Sequence, residues 1–398
     1  MIVTILKTVD LLLWGFMAFS VGYVSFFSLV SLFCRRRRAA TPLVSAPRRF
    51  LVLIPAYAED NVIRQSVGSV LSQDYPAECF SLAVVSDHMQ EATNEWLLRQ
   101  PLTLHRPLFD RSSKGRALSY AIDHTSGDFD AVVVLDADNT VGPHFLRQLS
   151  TMLCTGVRAI QCHRTAKNSQ TSVALLDGAS EEINNTLFRL AHNGIGLSSA
   201  LIGSGMCFDY DWFRSHASLL TTAGEDRELE QYLLSERIHI CYASHIDVFD
   251  EKVSTADNFQ RQRLRWMTAQ MQSLKAMLPR LPHALVTANV DYVDKTLQQA
   301  LVPRAMLLVL LPVMGVVSGC ALLFSPLSWQ LSAVTSLKWW VLLAVLAIAL
   351  VVALPRTLRL RALQASVVRL PQLAFRMLRN VLRINLSNHE FIHTVHQQ

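Results

Sequence analysis

The sequence predicts an α/β domain flanked by membrane-spanning helices. Two short runs of apolar, mostly β-branched residues, 50–54 and 131–135, are typical of strands buried on both faces of a sheet. Three longer apolar runs, 9–34, 305–324 and 337–354, are long enough to cross a bilayer. The chain of 398 residues is 51% apolar and 17% charged, which fits a mixture of the two kinds of structure better than either alone.

The first apolar run is followed at once by four arginines, residues 35–38. A cleaved signal peptide has a shorter apolar core, a basic start and a small-residue cleavage site, so this run is predicted to remain as an anchor. Basic residues collect on the cytoplasmic side of spanning helices. We therefore expect the amino terminus outside, and the rest of the chain up to the next span in the cytoplasm.

Charge and cysteine content exclude two other classes of protein. The formal net charge is +6, but the arginines cluster beside apolar runs and form no nucleic-acid-binding motif. Nucleic acid is therefore not an expected partner. The seven cysteines are scattered without a Cys-x-x-Cys pair, which indicates neither a zinc site nor a disulfide framework and fits a reducing cytoplasm.

The α/β domain begins with a strand, a helix and a second strand. Residues 50–54 form the first strand, which Pro55 is expected to end; residues 62–71 have helical periodicity, and 81–85 form the second strand. Asp87 follows that second strand, where a carboxylate commonly accepts hydrogen bonds from a nucleotide. The chain has no Gly-x-Gly-x-x-Gly or Walker loop, so we expect a nucleotide site that needs another device for the phosphates.

Asp136 and Asp138 follow the buried run at 131–135 and supply that device. Carboxylates one residue apart, at the end of a buried strand, point into the crevice where α/β sheets bind ligands. An Mg²⁺ or Mn²⁺ ion bound between the two carboxylates would also coordinate the phosphates of a substrate. Upstream, Lys114 and Arg116 open a helix that is capped by serine; they are either phosphate or base ligands or a solvated basic turn.

The second half of the domain contains two glycine-bearing motifs. Residues 171–201 have a helical pattern and precede Gly203-Ser204-Gly205, which is either a plain hairpin or a place where backbone approaches a sugar closely. Gly224-Glu225-Asp226 opens another helix, where acids also suit the helix dipole. An amphipathic helix over 259–278 then carries Gln262, Arg265 and Trp266 and is typical of a membrane surface.

These features divide the chain into five predicted parts. They are an amino-terminal anchor with its basic stop (1–38), a cytoplasmic catalytic domain that starts with a linker (39–258), interfacial helices (259–303), two spanning helices (304–355) and a basic cytoplasmic tail (356–398).

Five motifs stand in a characteristic order: Asp87, Asp136-Ala-Asp138, Gly203-Ser-Gly205, Gly224-Glu-Asp226 and Gln262-x-x-Arg265-Trp266. In this order they resemble the family 2 type of inverting glycosyltransferases, specifically the membrane synthases of cellulose, chitin and hyaluronan. The resemblance covers about residues 50–280 and implies a nucleotide-sugar-binding domain of the glycosyltransferase A type. Two positions depart from the usual pattern, Ser86 in place of an acid and Gly224 in place of threonine.

The resemblance also implies roles for individual residues. Asp226 would be the general base, with Glu225 and Arg265 completing the catalytic set, and Asp138 would bind Mg²⁺ or Mn²⁺ beside Asp136. The donor and acceptor would be held by a larger group of substrate-binding residues, namely Ala56, Tyr57, Glu59, Asp87, Lys114, Asp136, Gly205, Gln262 and Trp266.

Three functions follow from the resemblance. The first is transfer of a sugar from a nucleotide sugar, expected to be a UDP-sugar, to a growing surface polysaccharide through a β-glycosidic bond. Three spans are few for a polymer channel, so such an enzyme would need copies of itself or an export partner. The second is transfer of a single sugar to a membrane lipid, and the third is a non-catalytic membrane scaffold. The site of action in each case is the plasma or inner membrane, with the catalytic domain in the cytoplasm.

Overall fold

The computed structural model describes most of the chain, namely residues 2–34, 47–222, 224–252, 256–323, 332–362 and 364–365. The arginines at 35–38 and most of the basic tail predicted over 356–398 lie outside the described residues.

The α/β domain is built on one mixed sheet of eight strands. The strands are β1 (Phe50–Tyr57), β2 (Phe80–Asp87), β3 (Thr103–His105), β4 (Ala131–Val134), β5 (Thr140–Val141), β6 (Ala159–Ala166), β7 (Met206–Asp209) and β8 (Ile240–Asp250). Their order is β3-β2-β1-β4-β7-β6-β8-β5. The first four are parallel, whereas β7 runs antiparallel to both β4 and β6. The predicted α/β class is confirmed.

Helices cover both faces of this sheet and continue into the apolar ends of the chain. They are α1 (Ile2–Phe33), α2 (Ile63–Leu71), α3 (Glu91–Leu98), α4 (Lys114–His124), α5 (Phe145–Leu153), α6 (Ser172–Asn184), α7 (His192–Gly194), α8 (Tyr210–Ala217), α9 (Glu225–Ser235), α10 (Ala256–Met277), α11 (Leu281–Val286), α12 (Val290–Ala300), α13 (Arg304–Leu323) and α14 (Ser332–Ala353).

Alternate residues of the central strands enter two separate cores. Leu51 and Leu53 pack on one face with side chains of α4, α8 and α9, while Phe50 and Val52 pack on the other with those of α2 and α5. All four are fully buried. The continuous apolar runs in the sequence therefore reflect strands covered on both sides, as expected.

Pro55 does not end β1, contrary to the prediction. The strand continues to Tyr57, and Pro55 pairs in register with Val85 of β2. Leu53 accepts a hydrogen bond from Leu135 on the β4 side. Pro55 has the same orientation as Leu53, and β4 has already ended opposite it. Its missing N–H therefore faces a side where the ladder needs no donor.

The helix predicted over 171–201 is shorter and interrupted. It ends at Gly194, and its middle part, Asn185–Ala191, is π-helical. Such insertions often mark functional sites because they redirect side chains toward a cavity. The serine cap predicted before α4 is confirmed, since Ser113 Oγ accepts from the Arg116 amide at 3.2 Å.

The apolar helices pack against one another and against the catalytic domain. Lys7–Phe33 and Ser336–Ala353 are each long and apolar enough to cross a membrane. α12 and α13 are long and apolar enough only when taken together, and they are bent by 51° relative to each other. The described residues therefore contain two candidate spans, or three if this bent pair is counted as one span. α1 packs along α14 and the π-helical segment, which brings the spanning helices against the domain.

Gly205 lies in the core at the entrance to β7. Its φ is +64°, and a Cβ built there would lie 2.9 Å from Val248 Cγ2 and 3.3 Å from Cys162 Cβ. Its amide donates to Val134 and its carbonyl accepts from Cys162. This glycine lets β6, β4 and β8 approach closely, so packing alone requires a residue without a Cβ at this position.

We expect Gly205→Ala to destabilise the protein by about 1–3 kcal/mol, because the new methyl group overpacks the core and the backbone conformation disfavours alanine. The matched control is Gly68→Ala on α2, where a Cβ meets no atom within 4 Å. In that variant, the higher helix propensity of alanine is expected to stabilise the protein by up to about 1 kcal/mol. The melting temperatures of both variants in detergent test the pair; equal values would contradict the packing role.

Candidate active site

One cavity of about 650 Å³ contains nearly all of the predicted site residues. It opens where β1 and β2 end and where the loop after β4 begins. Of the predicted catalytic, substrate and metal residues, only Gly205 lies elsewhere. The others line the same space, namely Ala56, Tyr57, Glu59, Asp87, Lys114, Asp136, Asp138, Glu225, Asp226, Gln262, Arg265 and Trp266.

The outer end of the cavity is formed by the loops after β1 and β2. Asp87 is 5% exposed, and its Oδ1 lies 2.6 Å from His88 Nδ1. The Ala58 amide donates to the Asp87 carbonyl at 3.0 Å. Ala58 and His88 both have positive φ, +52° and +56°. A positive φ at a non-glycine residue costs conformational free energy. Such strained residues cluster at binding sites, and here two of them lie on adjacent loops.

Lys114 stands at the centre of the cavity. Its Nζ donates to Asp136 Oδ1 and to the Gly203 carbonyl, each at 2.5 Å, and lies 3.1 Å from Glu225 Oε1. Three separate parts of the chain, the loop after β4, the glycine-rich turn and the start of α9, therefore meet at one ammonium group. Gly203 has φ +82°, and a Cβ built on it would lie 3.4 Å from Glu225 Oε1.

Ion pairing sets the protonation of this centre. Burial by itself would lower the pKa of Lys114, but the charges of Asp136 and Glu225 raise it above its ordinary value. Burial raises the pKa of Glu225; Lys114 opposes that change, and the charges of Asp226 and Asp136 add to it. The lysine therefore stays charged and keeps several carboxylates close together.

Asp138 lies deeper than Asp136 and is held by its surroundings. It is 5% exposed, its Oδ1 accepts from Asn139 Nδ2 at 2.9 Å, and its carbonyl accepts from Lys167 Nζ at 2.7 Å. The same Asn139 amide donates to Asp250 Oδ1 at 3.0 Å. This arrangement fixes one carboxylate toward the cavity, where oxygen ligands for a hard cation are needed.

The donor set fits a divalent ion that shares its ligands with a substrate. Among the described residues, no group of three or more His, Cys, Asp or Glu side chains is arranged to hold a metal alone. Mg²⁺ is commonly held by one or two carboxylates together with substrate phosphates. Asp136 and Asp138 provide such carboxylates on the wall of a cavity with room for a diphosphate.

Asp226 faces the same centre from the first turn of α9. One of its carboxylate oxygens, Oδ2, lies 3.9 Å from a Cβ built on Gly203, while Oδ1 accepts from the Arg227 amide at 2.9 Å. Lys114 Nζ lies 3.5 Å from the same built Cβ, so Asp226 and Lys114 approach the same side of the glycine-rich turn. A carboxylate in this place is able to take a proton from a hydroxyl group that enters the cavity.

α10 closes the cavity with the Gln262, Arg265 and Trp266 motif. All three side chains line it and are partly buried. Gln262 Oε1 is shielded from solvent and has no hydrogen-bond partner among the described residues. The guanidinium of Arg263 lies 4.4 Å from the centroid of the Trp266 ring. The motif thus presents an amide, a cation and an indole to the cavity.

A buried ion network that the sequence did not predict lies at the end of the cavity nearest α13 and α14. Glu181 Oε2 accepts from Arg164 at 3.1 Å, and its Oε1 accepts from Arg189 at 3.2 Å. Lys252 donates to Asp250 at 2.6 Å and lies 3.9 Å from Glu181. Two features of the sequence could have indicated this network: an acid pair inside an otherwise apolar helical stretch, and an arginine within the π-helical segment. Neither feature indicates which residues would be its partners.

We expect Lys114→Gln to destabilise the protein by about 3 kcal/mol, because it leaves buried carboxylates without their cation. The raised pKa of Glu225 means that the folded protein binds a proton more tightly than the unfolded chain. Stability therefore falls as pH rises from the unfolded to the folded pKa. The substitution raises that folded pKa further, so the loss of melting temperature should grow as pH rises above about 4.3, the ordinary pKa of a glutamate. The control is Lys275→Gln on the exposed side of α10; a loss independent of pH would contradict the assignment.

Three kinds of comparison bear on this site. Among curated protein sequences, none matches the chain significantly. Among solved structures, the mannosyltransferase PcManGT from Pyrobaculum calidifontis, in complex with GDP-Man and Mn²⁺, is 17% identical with a TM-score of 0.57, over 92% of this chain and 97% of that one. TarS from S. aureus, residues 1–349 in complex with UDP-GlcNAc, is 14% identical with a TM-score of 0.43, over 83% and 89%.

The match to PcManGT shows a common fold, which is that of the glycosyltransferase A class predicted from the motifs. A family model described as glycosyltransferase-like family 2 matches residues 47–269, which is more than half of the 398-residue chain. The matched range begins just before β1 and ends within α10, so it includes every side chain of the acidic centre and the Gln262-x-x-Arg265-Trp266 motif. The chain therefore belongs to glycosyltransferase-like family 2, whose reaction is sugar transfer from a nucleotide sugar.

Proposed function

We propose that this glycosyltransferase moves a single sugar from a nucleotide sugar to an acceptor anchored in the membrane. One observation carries the choice of acceptor. The cavity that contains Asp136 and Asp226 is continuous with a space lined by Leu308 of α13 and by Leu350 and Leu354, at the end of α14. An acceptor tail is able to lie among these apolar side chains while its polar end reaches the acids.

The proposed reaction is an inverting, in-line displacement at the anomeric carbon. Asp226 takes the proton of the acceptor hydroxyl as that oxygen attacks, and the bond from the sugar to the nucleoside diphosphate breaks. Arg265 is placed to offset negative charge on the leaving diphosphate. Mg²⁺ or Mn²⁺ at Asp138 and Asp136 would supply further positive charge there when bound. Lys114 holds Asp136 and the Gly203 backbone in position.

The donor is expected to be a UDP-sugar, held by Ala56, Tyr57, Glu59 and Asp87 at the outer end of the cavity. PcManGT, with the same fold, is in complex with GDP-Man and Mn²⁺, so guanine donors belong in the same screen. We place the enzyme in the plasma or inner membrane as a multi-pass protein, with its catalytic domain in the cytoplasm. The basic segment after the first span supports this orientation.

The second candidate is extension of a surface polysaccharide. The Gln262-x-x-Arg265-Trp266 motif favours it, because Trp266 offers an indole face to a sugar within the same cavity. Two or three candidate spans are few for a polymer channel. Such an enzyme would therefore work with further copies of itself or with an export partner. Product length separates the two candidates: membranes given labelled UDP- and GDP-sugars yield a lipid with one added sugar in the first case and a polymer in the second.

We expect Asp226→Asn to lower the transfer rate by roughly 100-fold or more, because the acceptor hydroxyl loses its base. Binding of the nucleoside diphosphate should be retained. The matched control is Asp211→Asn at an exposed position of α8, which should leave transfer unchanged. Labelled sugar in the product, counted in a single turnover, measures the effect. Unchanged transfer by Asp226→Asn would remove this residue as the base.

Activity should also depend on a divalent ion. We expect EDTA to abolish transfer and either Mg²⁺ or Mn²⁺ to restore it, because the acids at the diphosphate position otherwise repel the donor. Asp138→Asn should raise the metal concentration needed for half-maximal transfer by roughly 10-fold or more. A titration of both proteins with each ion measures this. Full activity in EDTA would contradict the metal assignment.

A further inference from the structure

The membrane-side end of the cavity is basic, in contrast to its acidic outer end. Arg304, the first residue of α13, lines it. Its Nη2 donates to Asn184 Oδ1 at 2.6 Å and to the Ser180 carbonyl at 3.4 Å. Its Nη1 is shielded from solvent and has no hydrogen-bond partner within the part of the chain that the structure describes. One end of this guanidinium is therefore held in place, while the other is a buried donor without a partner among the described residues.

Arg164 offers a second such donor. The residue is 7% exposed, and its two terminal nitrogens donate to Glu181 Oε2 at 3.1 Å and to the Ile202 carbonyl at 3.3 Å. Its Nε has no hydrogen-bond partner among the described residues, and Asp250 Oδ2 is 3.9 Å away. Arg164 also lines the cavity, so it is a buried and rigidly held cation beside the open space.

The charges around these two arginines do not balance. We define the membrane-side ion cluster as the cations and carboxylates joined by ion pairs around Glu181, together with Arg304 and the pair of Arg263 with Asp177 at 2.5 Å. Within the cluster, five cations face three carboxylates, namely Arg164, Arg189, Lys252, Arg263 and Arg304 against Glu181, Asp177 and Asp250, and Arg304 itself forms no ion pair among the described residues. Asp136 and Glu230 also act on Arg164 and Arg189, but each is paired with a lysine of its own, Lys114 and Lys295. Excess charge in a buried place is costly unless a counter-ion joins it.

The surroundings of the cluster identify the kind of counter-ion. Beside Arg304 the cavity is lined by Leu308, Leu350 and Leu354 of the apolar helices, and the Arg304 guanidinium lies 5.8 Å from the centroid of the Phe188 ring. An anion bound here therefore has an apolar slot on one side and the catalytic acids on the other. Forked guanidinium groups suit phosphate oxygens. A phosphate joined to a lipid tail on one side and to a hydroxyl-bearing group on the other carries one negative charge, which would offset part of this excess.

We propose that the membrane-side ion cluster binds the phosphate of a phospholipid acceptor. The lipid tail lies along α13 and α14, the phosphate contacts Arg304 and Arg164, and a hydroxyl-bearing group beyond the phosphate reaches Asp226. This inference rests on the proposed function, and it narrows the acceptor from any membrane lipid to one that carries a phosphate between its tail and the accepting hydroxyl group.

The test is a binding experiment on the full-length protein in detergent, with three probes: farnesyl phosphate, farnesol, and inorganic phosphate added together with farnesol. We expect farnesyl phosphate to bind at least roughly 10-fold more tightly than farnesol, because its phosphate would gain one or more charge-assisted hydrogen bonds. Equal affinities would overturn the proposal without any substitution being made. Inorganic phosphate binding as tightly as farnesyl phosphate would overturn it too, because the site would then serve a free anion.

Variants localise the effect. Arg304→Gln should weaken farnesyl phosphate binding by roughly 10- to 100-fold and leave farnesol binding unchanged. Arg304→Lys should recover part of the affinity, because it restores the charge without the fork. The matched control is Arg214→Gln on the exposed side of α8, which should bind like the wild type. If Arg304→Gln retained full affinity for farnesyl phosphate, Arg304 would be excluded from the site.

Binding of UDP and GDP by the same proteins separates this inference from the proposed function. Arg304→Gln should bind the nucleotide as the wild type does, which also shows that it folds. A wild-type protein that transfers sugar but does not distinguish farnesyl phosphate from farnesol would overturn the inference and keep the function. One that prefers farnesyl phosphate but transfers sugar only to a polysaccharide would overturn the single-transfer function, and with it the acceptor role of the cluster.

Discussion

The ammonium group of Lys114 is the interaction on which the acidic centre depends. Asp136, Glu225 and Asp226 come from segments almost 90 residues apart, and carboxylates brought so close repel one another in a buried place. Lys114 contacts two of them and the Gly203 carbonyl. It thereby holds the end of β4, the glycine-rich turn and α9 in one arrangement before any donor binds. A site preorganised in this way does not have to collect its acids during the reaction.

A second set of polar contacts links the apolar helix α1 to that centre. The Tyr23 hydroxyl of α1 donates to Asp294 of α12 at 2.7 Å and lies 3.0 Å from His192, which stacks on Phe27 at 3.7 Å between ring centroids. On the other side of α12, Gln299 accepts from Arg227, the residue after Asp226, at 2.5 Å. The first span, α12 and the helix of the expected base are thus linked through direct contacts. This linkage explains how a single cavity is able to extend from the nucleotide end to the apolar helices.

The sequence predicted local features well and long-range ones poorly. Buried strands, the Ser113 cap and the position of Asp136 after a strand depend on neighbouring residues, and the structure has them where expected. The effect of Pro55 depended on the length of β4, a different strand, and so was predicted wrongly. The ends of the helix after Thr171 depended on Arg189 and Asn185 turning toward Glu181 and Arg164. The packing of Gly205 against Val248 and Cys162 was not predicted either, because a motif records which residue is needed and not which neighbours it contacts.

The two ends of the cavity place opposite demands on the two substrates. In the proposed reaction, the carboxylates at the outer end would meet a donor that is itself an anion, so donor binding there would require an added cation between protein and phosphate. At the other end, the excess charge belongs to arginines built into the protein, so an acceptor phosphate would need no added ion. A metal-free diphosphate would be repelled by Asp136 and Asp138, and a neutral metal complex would gain little beside Arg304 and Arg164. Charge would therefore orient donor and acceptor toward the space between the two ends, where Asp226 lies.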